Sequence, residues 1–266
     1  MTRIILCADD YGLSPAVSRG IRELLELGRL SATSCMVVYP EFAADGPQLK
    51  PFADIADIGL HFTMTANRPL RQVAAECFLR PPPISAIVAN VEEQIERFGD
   101  AVGKRPDYID GHQHVHLFPV VREAIVQVAS RIGAYVRDAS EPIDVTMWRR
   151  PAPLESAYLS CLSRSLSRLA RRRGVATNRG FRGARNFRET GPYRDLFRRM
   201  ISGCGDDALV MCHPGHVDPM LAARDSVLDA REAELGYIAG SDFLRDLSEG
   251  GFALSRLAPP IGGRGG

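Results

Sequence analysis

Apolar positions along this chain fall into short continuous runs, separated by longer stretches in which an apolar residue recurs every three or four positions. Arg3 to Ala8 is such a run and ends in Asp9-Asp10-Tyr11-Gly12. That is the pattern of a strand buried on both faces, followed by a loop at its C-terminal end. Ser14-Pro15 then reads as an N-cap with proline at the first helical position. Val17, Ile21, Leu24 and Leu25 carry the helical period up to Gly28. Further strands are predicted over 32–38, over 55–62 with His61 at its end, over 107–110 and over 134–137. Two more are predicted over 208–212, which delivers His213, and over 252–254. Helices are predicted over 41–49, over 85–102 with Ser85 as a cap, and over 119–132 closed by Gly133. Others are predicted over 154–173, 192–201, 223–236 and 241–248. Residues 63–84 are Pro-rich and read as a long loop over the site, and 175–188 as a Gly- and Arg-rich loop.

Strand and helix alternating in this way predict an α/β fold with mostly parallel strands, open or closed into a barrel. In such folds active residues collect at the C-terminal ends of the strands. Asp9, Asp10, His61, His112 and His213 all fall at such ends. The length of 266 residues suits one α/β barrel domain over 1–258, carrying an Arg-rich insertion around 149–199 and ending in a flexible Gly/Pro-rich tail, 259–266. There are no internal repeats.

Composition changes this picture in three places. Hydrophobic residues make up 45% and charged residues 24%, enough apolar material for a sizeable core, and the net charge of +1 gives no footprint for nucleic acid. The charge is uneven, however: fourteen Arg against Glu155, Glu189 and Asp195 fall between Arg149 and Arg199. This tract could cover an anionic substrate, meet a membrane surface or a partner, or be a solvated face. The six Cys are scattered without close spacing and read as buried hydrophobes in a reducing cytoplasm. No run approaches the roughly 18 to 20 apolar residues needed to span a bilayer, and the first residues do not have the pattern of a signal peptide.

The chemistry concentrates in Asp110-Gly111-His112-Gln113-His114-Val115-His116, which holds three of the six histidines. If extended, His112, His114 and His116 share a face, and at least two imidazoles could converge on a divalent metal. Asp10, His61 and one of His112 or His114 would make an open, catalytic site of a carboxylate and two imidazoles. Adjacent Asp9 and Asp10 point apart when extended, so one could hold the ion while the other takes a proton from its water. Metal-bound water is a nucleophile near neutral pH. His213, on another strand and followed by Pro214, is placed to give a leaving amine its proton. His216 and Asp218 are further candidates, and Arg137 either orients a carboxylate in the site or lies on the surface.

Taken together, Ala8-Asp9-Asp10-Tyr11-Gly12-Leu13-Ser14, Gly59-Leu60-His61, Asp110 to Pro119 and Met211-Cys212-His213-Pro214 resemble the YdjC-like carbohydrate deacetylases. That family includes chitooligosaccharide and hopanoid-associated types, and the likeness runs in order from about residue 3 to 216. It implies a distorted TIM-like barrel, a divalent ion (Mg or Zn) and removal of an N-acetyl group from an amino sugar or oligosaccharide. Position by position it implies Asp10, His61 and His112 as metal ligands, leaving His114 and His116 around the site. By analogy with the broader polysaccharide deacetylases, Asp9 is the base and His213 the acid. A homodimer is compatible with the family. Tyr11 stands where the family often has Phe, and the Arg-rich tract has no clear counterpart in it. Two other readings use the same residues: a non-haem iron oxygenase, and a sugar- or metal-binding module without turnover.

Overall fold

The computed structural model describes residues 1–66, 68–143, 147–149, 151–187 and 191–257. Its centre is β1 (Thr2–Tyr11), whose residues from Ile4 to Ala8 are fully buried. The other strands are β2 (Ala32–Cys35), β3 (Asp57–Phe62), β4 (Tyr108–Gly111), β5 (Tyr135–Val136), β6 (Phe181–Arg182), β7 (Ala208–Cys212) and β8 (Phe252–Leu254). They form one sheet in the order β5-β4-β3-β2-β1-β7-β6, and every pairing described is parallel. An isolated parallel bridge from Val136 to Thr177 carries the curl onward beyond β5. β8 pairs with Thr2 to Ile4 of β1, below the stretch where β2 pairs with Cys7 to Tyr11. The fold is a distorted, TIM-like α/β barrel with helices packed outside the sheet, as the pattern of apolar runs predicts.

The helices are α1 (Pro15–Glu26), α2 (Phe42–Asp45), α3 (Leu70–Leu79), α4 (Ile84–Val102), α5 (Pro119–Ile132), α6 (Pro153–Arg172), α7 (Tyr193–Ile201), α8 (Pro219–Arg224), α9 (Asp229–Ala239) and α10 (Ser241–Glu249). In α1 the Ser14 hydroxyl accepts from the Val17 N–H and Pro15 opens the first turn, as expected. Gly133, with φ 76°, closes α5.

Four local expectations are corrected. The stretch 63–84 contains α3, which buries only Val73 and Cys77 and so shows a faint apolar stripe. Pro69 before it and Pro81 to Pro83 after it mark its ends. Ser85 does not cap α4, which starts after Pro83 without a side-chain cap. The loop 175–188 contains β6. The helix expected over 223–236 is two helices, α8 and α9, separated around Asp225. The tail 259–266 lies outside the described residues. Among the described residues no helix is long and apolar enough to cross a membrane.

The Arg-rich tract is only partly a solvated face. Arg182 and Arg185 are buried and pair with Glu141 at 3.2 Å and Glu234 at 3.0 Å. Arg194 and Arg198 both reach Asp246, whereas Arg168 and Arg171 to Arg173 are exposed.

One glycine permits the packing beneath the site. A Cβ on Gly59 would stand 2.3 Å from the Tyr108 ring. Without it, Tyr108 stacks on Tyr135 at 4.9 Å and sets its hydroxyl 3.0 Å from Cys7 Sγ.

Candidate active site

The two aspartates that end β1 lie within the strand, contrary to the loop expected there, but the strand is not regular. Asp10 has φ 70°, and the register with β2 shifts between Ala8 and Tyr11. Three steps along β1 there match two along β2, a bulge that breaks the alternation of a flat strand. Both carboxylates are thereby buried with separate partners. Asp9 accepts from both ends of the Arg137 guanidinium, at 2.7 Å and 2.6 Å. Asp10 turns Oδ1 to two histidines and Oδ2 to Arg231 Nη2 at 2.6 Å.

His61 ends β3 in register with Asp110 on β4. Its Nδ1 lies 2.6 Å from Asp110 Oδ1, so a Nδ1–H donates there and Nε2 is the nitrogen left to face an ion. Nε2 stands 3.4 Å from Asp10 Oδ1. Asp110 also accepts from Ser34 Oγ at 2.6 Å and meets Arg137 Nη2 at 2.5 Å. His112 brings Nδ1 to 3.1 Å from Asp10 Oδ1, with its ring 5.4 Å from that of His61.

The histidine stretch is not extended, so its three rings do not share a face. It forms a 3-10 turn, His112–Leu117, in which Gln113 and His114 have φ 53° and 58°. That turn gives the rings different partners, although those of His114 and His116 lie 6.0 Å apart. His112 joins Asp10 and His61. His114 packs edge-on against Phe181 at 5.7 Å. His116 is fully buried, and its Nε2–H donates to the Arg137 carbonyl at 3.2 Å. Burial pushes His114 well below the ordinary histidine value and takes His116 down to about 4, so both are neutral supports beneath the site.

On the opposite flank β7 delivers His213. Its backbone N–H donates to Glu234 Oε2 at 2.6 Å, and its ring meets the Phe187 ring edge-on at 5.2 Å. Burial lowers its pKa, although Asp10 and Asp9 pull the other way. His216 pairs with Glu23 on α1 at 2.8 Å, and Asp218 caps α8, accepting from Leu221 N–H at 2.6 Å. Both therefore tie the following loop to neighbouring helices.

Two arginines complete the electrostatics. Arg137, left open between site and surface by the sequence, is fully buried between Asp9 and Asp110. Arg231, on α9, was not anticipated at all. It sits in a run of charged residues with nothing to mark it, yet it is almost fully buried and bridges Asp10 to Asp225 at 2.6 Å each. Burial would raise the Asp10 carboxyl, but Arg231 and His112 outweigh it and hold it well below the usual carboxylate range. At His61 burial lowers the pKa, while Asp110, Asp9 and Asp10 together lift it to about 10.

Asp10, His61 and His112 each offer one ligand atom, all within 4.8 Å of one another. One carboxylate oxygen and two imidazole nitrogens, with the His61 tautomer fixed by Asp110, form a donor set that fits a divalent ion. The strong pull for positive charge at His61 points the same way. A second grouping, Asp9 with His61 and Asp110, fits a metal less well, because Arg137 already occupies both carboxylates.

The family model described as YdjC-like protein matches residues 3–249. The chain belongs to the YdjC-like family. It is 29% identical over 269 residues to a carbohydrate deacetylase of Geobacillus stearothermophilus, covering 94% of each chain. To a chitooligosaccharide deacetylase of Escherichia fergusonii it is 27% identical over 271 residues, covering 94% of this chain and 96% of that one. Among solved structures, an Enterococcus faecalis V583 protein provisionally assigned to cellobiose-phosphate cleavage superposes with a TM-score of 0.74. It is 21% identical and is covered over 97% of its length, against 96% of this chain. A family 4 acetyl xylan esterase of Clostridium thermocellum, in complex with a cobalt ion, gives a TM-score of 0.50 at 11% identity, covering 96% of this chain and 88% of that one. At these identities the two structures establish the shared fold.

Proposed function

We propose that this YdjC-like protein is a divalent-metal-dependent carbohydrate deacetylase, hydrolysing the acetamide of an N-acetylated amino sugar. The observation that carries this reading is the convergence of Asp10, His61 and His112 beside a second buried carboxylate, Asp9, which Arg137 grips at 2.6 and 2.7 Å. A binding module has no use for that second carboxylate or for His213 across from it, and an oxygenase has no use for a base. The two relatives named above as deacetylases support the same class.

In this reading Asp10, His61 and His112 hold the ion, which when bound polarises the acetyl carbonyl and acidifies water beside it. Two imidazoles favour Zn over Mg in such a set. Asp9, fixed by Arg137, accepts a proton from the attacking water. His213, whose pKa burial lowers, takes a proton from solvent as negative charge builds on the carbonyl oxygen and gives it to the departing amine, while Asp9 returns the water's proton to solvent. His61 is oriented by Asp110 and Asp10 by Arg231. We also place the protein in a reducing compartment, since its six cysteines are scattered along the chain and five of them are buried.

The test is acetate release from N-acetylglucosamine and its oligomers. Release is expected with the metal-loaded protein and not after chelation, with recovery on adding Zn or Mg. Acetate formation that persists at full rate in chelator would remove the metal from the mechanism.

A further inference from the structure

His213 stands one residue past the end of its ladder. β7 pairs with β1 as far as Cys212 and with β6 as far as Val210, so the His213 N–H has no strand to donate to. It donates to Glu234 Oε2 at 2.6 Å instead. The other oxygen of that carboxylate lies 3.0 Å from Arg185 Nη2. The Arg185 guanidinium in turn lies over the Phe187 ring at 4.6 Å and over the Tyr193 ring at 5.2 Å. Phe187 meets the His213 ring edge-on at 5.2 Å, which closes a circuit from His213 through Glu234, Arg185 and Phe187 back to His213. One arm of this circuit holds the backbone of His213 and the other holds its ring.

Two features of the chain bring the circuit together. Gly183, with φ 113°, passes so close to β7 that a Cβ there would stand 2.3 Å from the Met211 carbonyl oxygen. That close approach lets the segment after β6 carry Arg185 and Phe187 to His213. On α9, Arg231 and Glu234 are three positions apart and share a face. Arg231 holds the proposed metal ligand Asp10 and Glu234 holds His213, so one helical turn fixes the spacing between them. Both side chains are only 1% exposed. A carboxylate buried so deeply needs a partner for each oxygen. Neutralising Arg185 would use one of them, and the second is turned to the residue assigned to the departing amine.

We infer that Glu234 is a positioning residue for proton transfer. Through the main-chain N–H, and through Arg185 and Phe187, it sets where the His213 ring stands relative to Asp10. The inference rests on the deacetylase reading and gives Glu234 no contact with substrate.

Glutamine at this position keeps the shape but offers one acceptor end in place of two, so its amide N–H₂ must face either the His213 N–H or the Arg185 guanidinium. The experiment measures kcat, KM and metal content of Glu234→Gln, using the metal-loaded full chain and acetate release from N-acetylglucosamine oligomers. kcat should fall by about 10- to 100-fold, the scale for a reacting group misplaced by about 1 Å, with KM and metal content as in wild type. In a His213→Ala background the same substitution should cost nothing further, because no ring is left to aim. A wild-type kcat, or an equal loss in both backgrounds, overturns the inference. Should Glu234→Gln fail to fold or to hold the ion, Phe187→Leu breaks the same circuit at its other arm. A loss of kcat that disappears without His213 then sustains the inference, and no loss, or the same loss in both backgrounds, ends it. If wild type releases no acetate, the deacetylase reading fails, and a crystal structure of Glu234→Gln decides the circuit by itself. A His213 ring turned away from Phe187 sustains positioning by Glu234, and a ring left in place refutes it.

Discussion

Arg137 meets Asp9 edge to edge, with Nη1 2.7 Å from one carboxylate oxygen and Nη2 2.6 Å from the other. The same Nη2 lies 2.5 Å from Asp110, which in turn fixes His61. One guanidinium thus sets the angle of the proposed base and steadies the residue that orients a metal ligand. Lysine keeps the charge but cannot form the fork. Arg137→Lys should lower kcat/KM by about 10- to 100-fold, the usual cost of losing an outer-shell partner, with a clear drop in melting temperature. Steady-state rates equal to wild type would show that the fork does not position Asp9.

The ligand set makes a separate prediction about metal content. His61→Ala and Asp10→Asn should each lose the ion, as measured by elemental analysis after dialysis. His114→Ala should keep it, because the turn at Gln113 and His114 carries that ring to Phe181 instead. Loss of metal in His114→Ala with retention in a His112→Ala variant would reverse the assignment.

Proton transfer can be separated from metal binding. Asp9→Asn and His213→Ala are expected to retain the ion and reduce kcat by roughly 10²- to 10⁴-fold, the range for a general acid or base. This corresponds to about 3 to 5 kcal/mol of barrier. The double variant should lose less than the product of the two, since groups serving one step act as a unit. Metal analysis alongside kinetics decides it, and an Asp9→Asn protein that is active but metal-free would exchange the roles of Asp9 and Asp10.

Acid stability should report on His116. Burial takes its folded-state pKa down to about 4, whereas in the unfolded chain it titrates near 6.5. Between these values the unfolded chain binds a proton that the folded one refuses. The contribution is therefore complete above about pH 6.5 and lost as the pH falls toward about 4. In His116→Gln, where the amide can still donate to the Arg137 carbonyl, the loss on going from about pH 7 to about pH 4.5 should shrink by about 2 kcal/mol. Urea titrations of the metal-free proteins measure it, and equal losses in both would mean that His116 is not held neutral.

Much of this was legible in the chain because it is encoded locally. β1, β3, β4 and β7 are apolar runs that end directly in chemical residues, and Asp10, His61 and His112 meet as that placement requires. What could not be read depends on backbone conformation or distant partners. The turn after His112 uses two left-handed residues, Gln113 and His114, with no glycine to announce it. The bulge at Asp10 is equally unmarked. Arg231 and Asp10 lie 221 positions apart, and nothing near Arg231 distinguishes a buried arginine from a surface one. The helix α3 is hidden by the prolines that flank it and by how little of it is buried.

The pairing of β1 has a consequence for how the chain is made. This strand has β7 along one edge and β2 with β8 along the other, and its partners on β8 are Phe252 to Leu254. The strand bearing Asp9 and Asp10 therefore waits until residue 254 has been made before its edges are covered. Such long-range closure is slow and leaves an apolar strand open to wrong partners meanwhile. Nascent chains halted before residue 208 should then be the aggregation-prone species. A permuted gene that begins at β7 and runs through β8 into β1 would supply those strands together, and should refold faster with the same site.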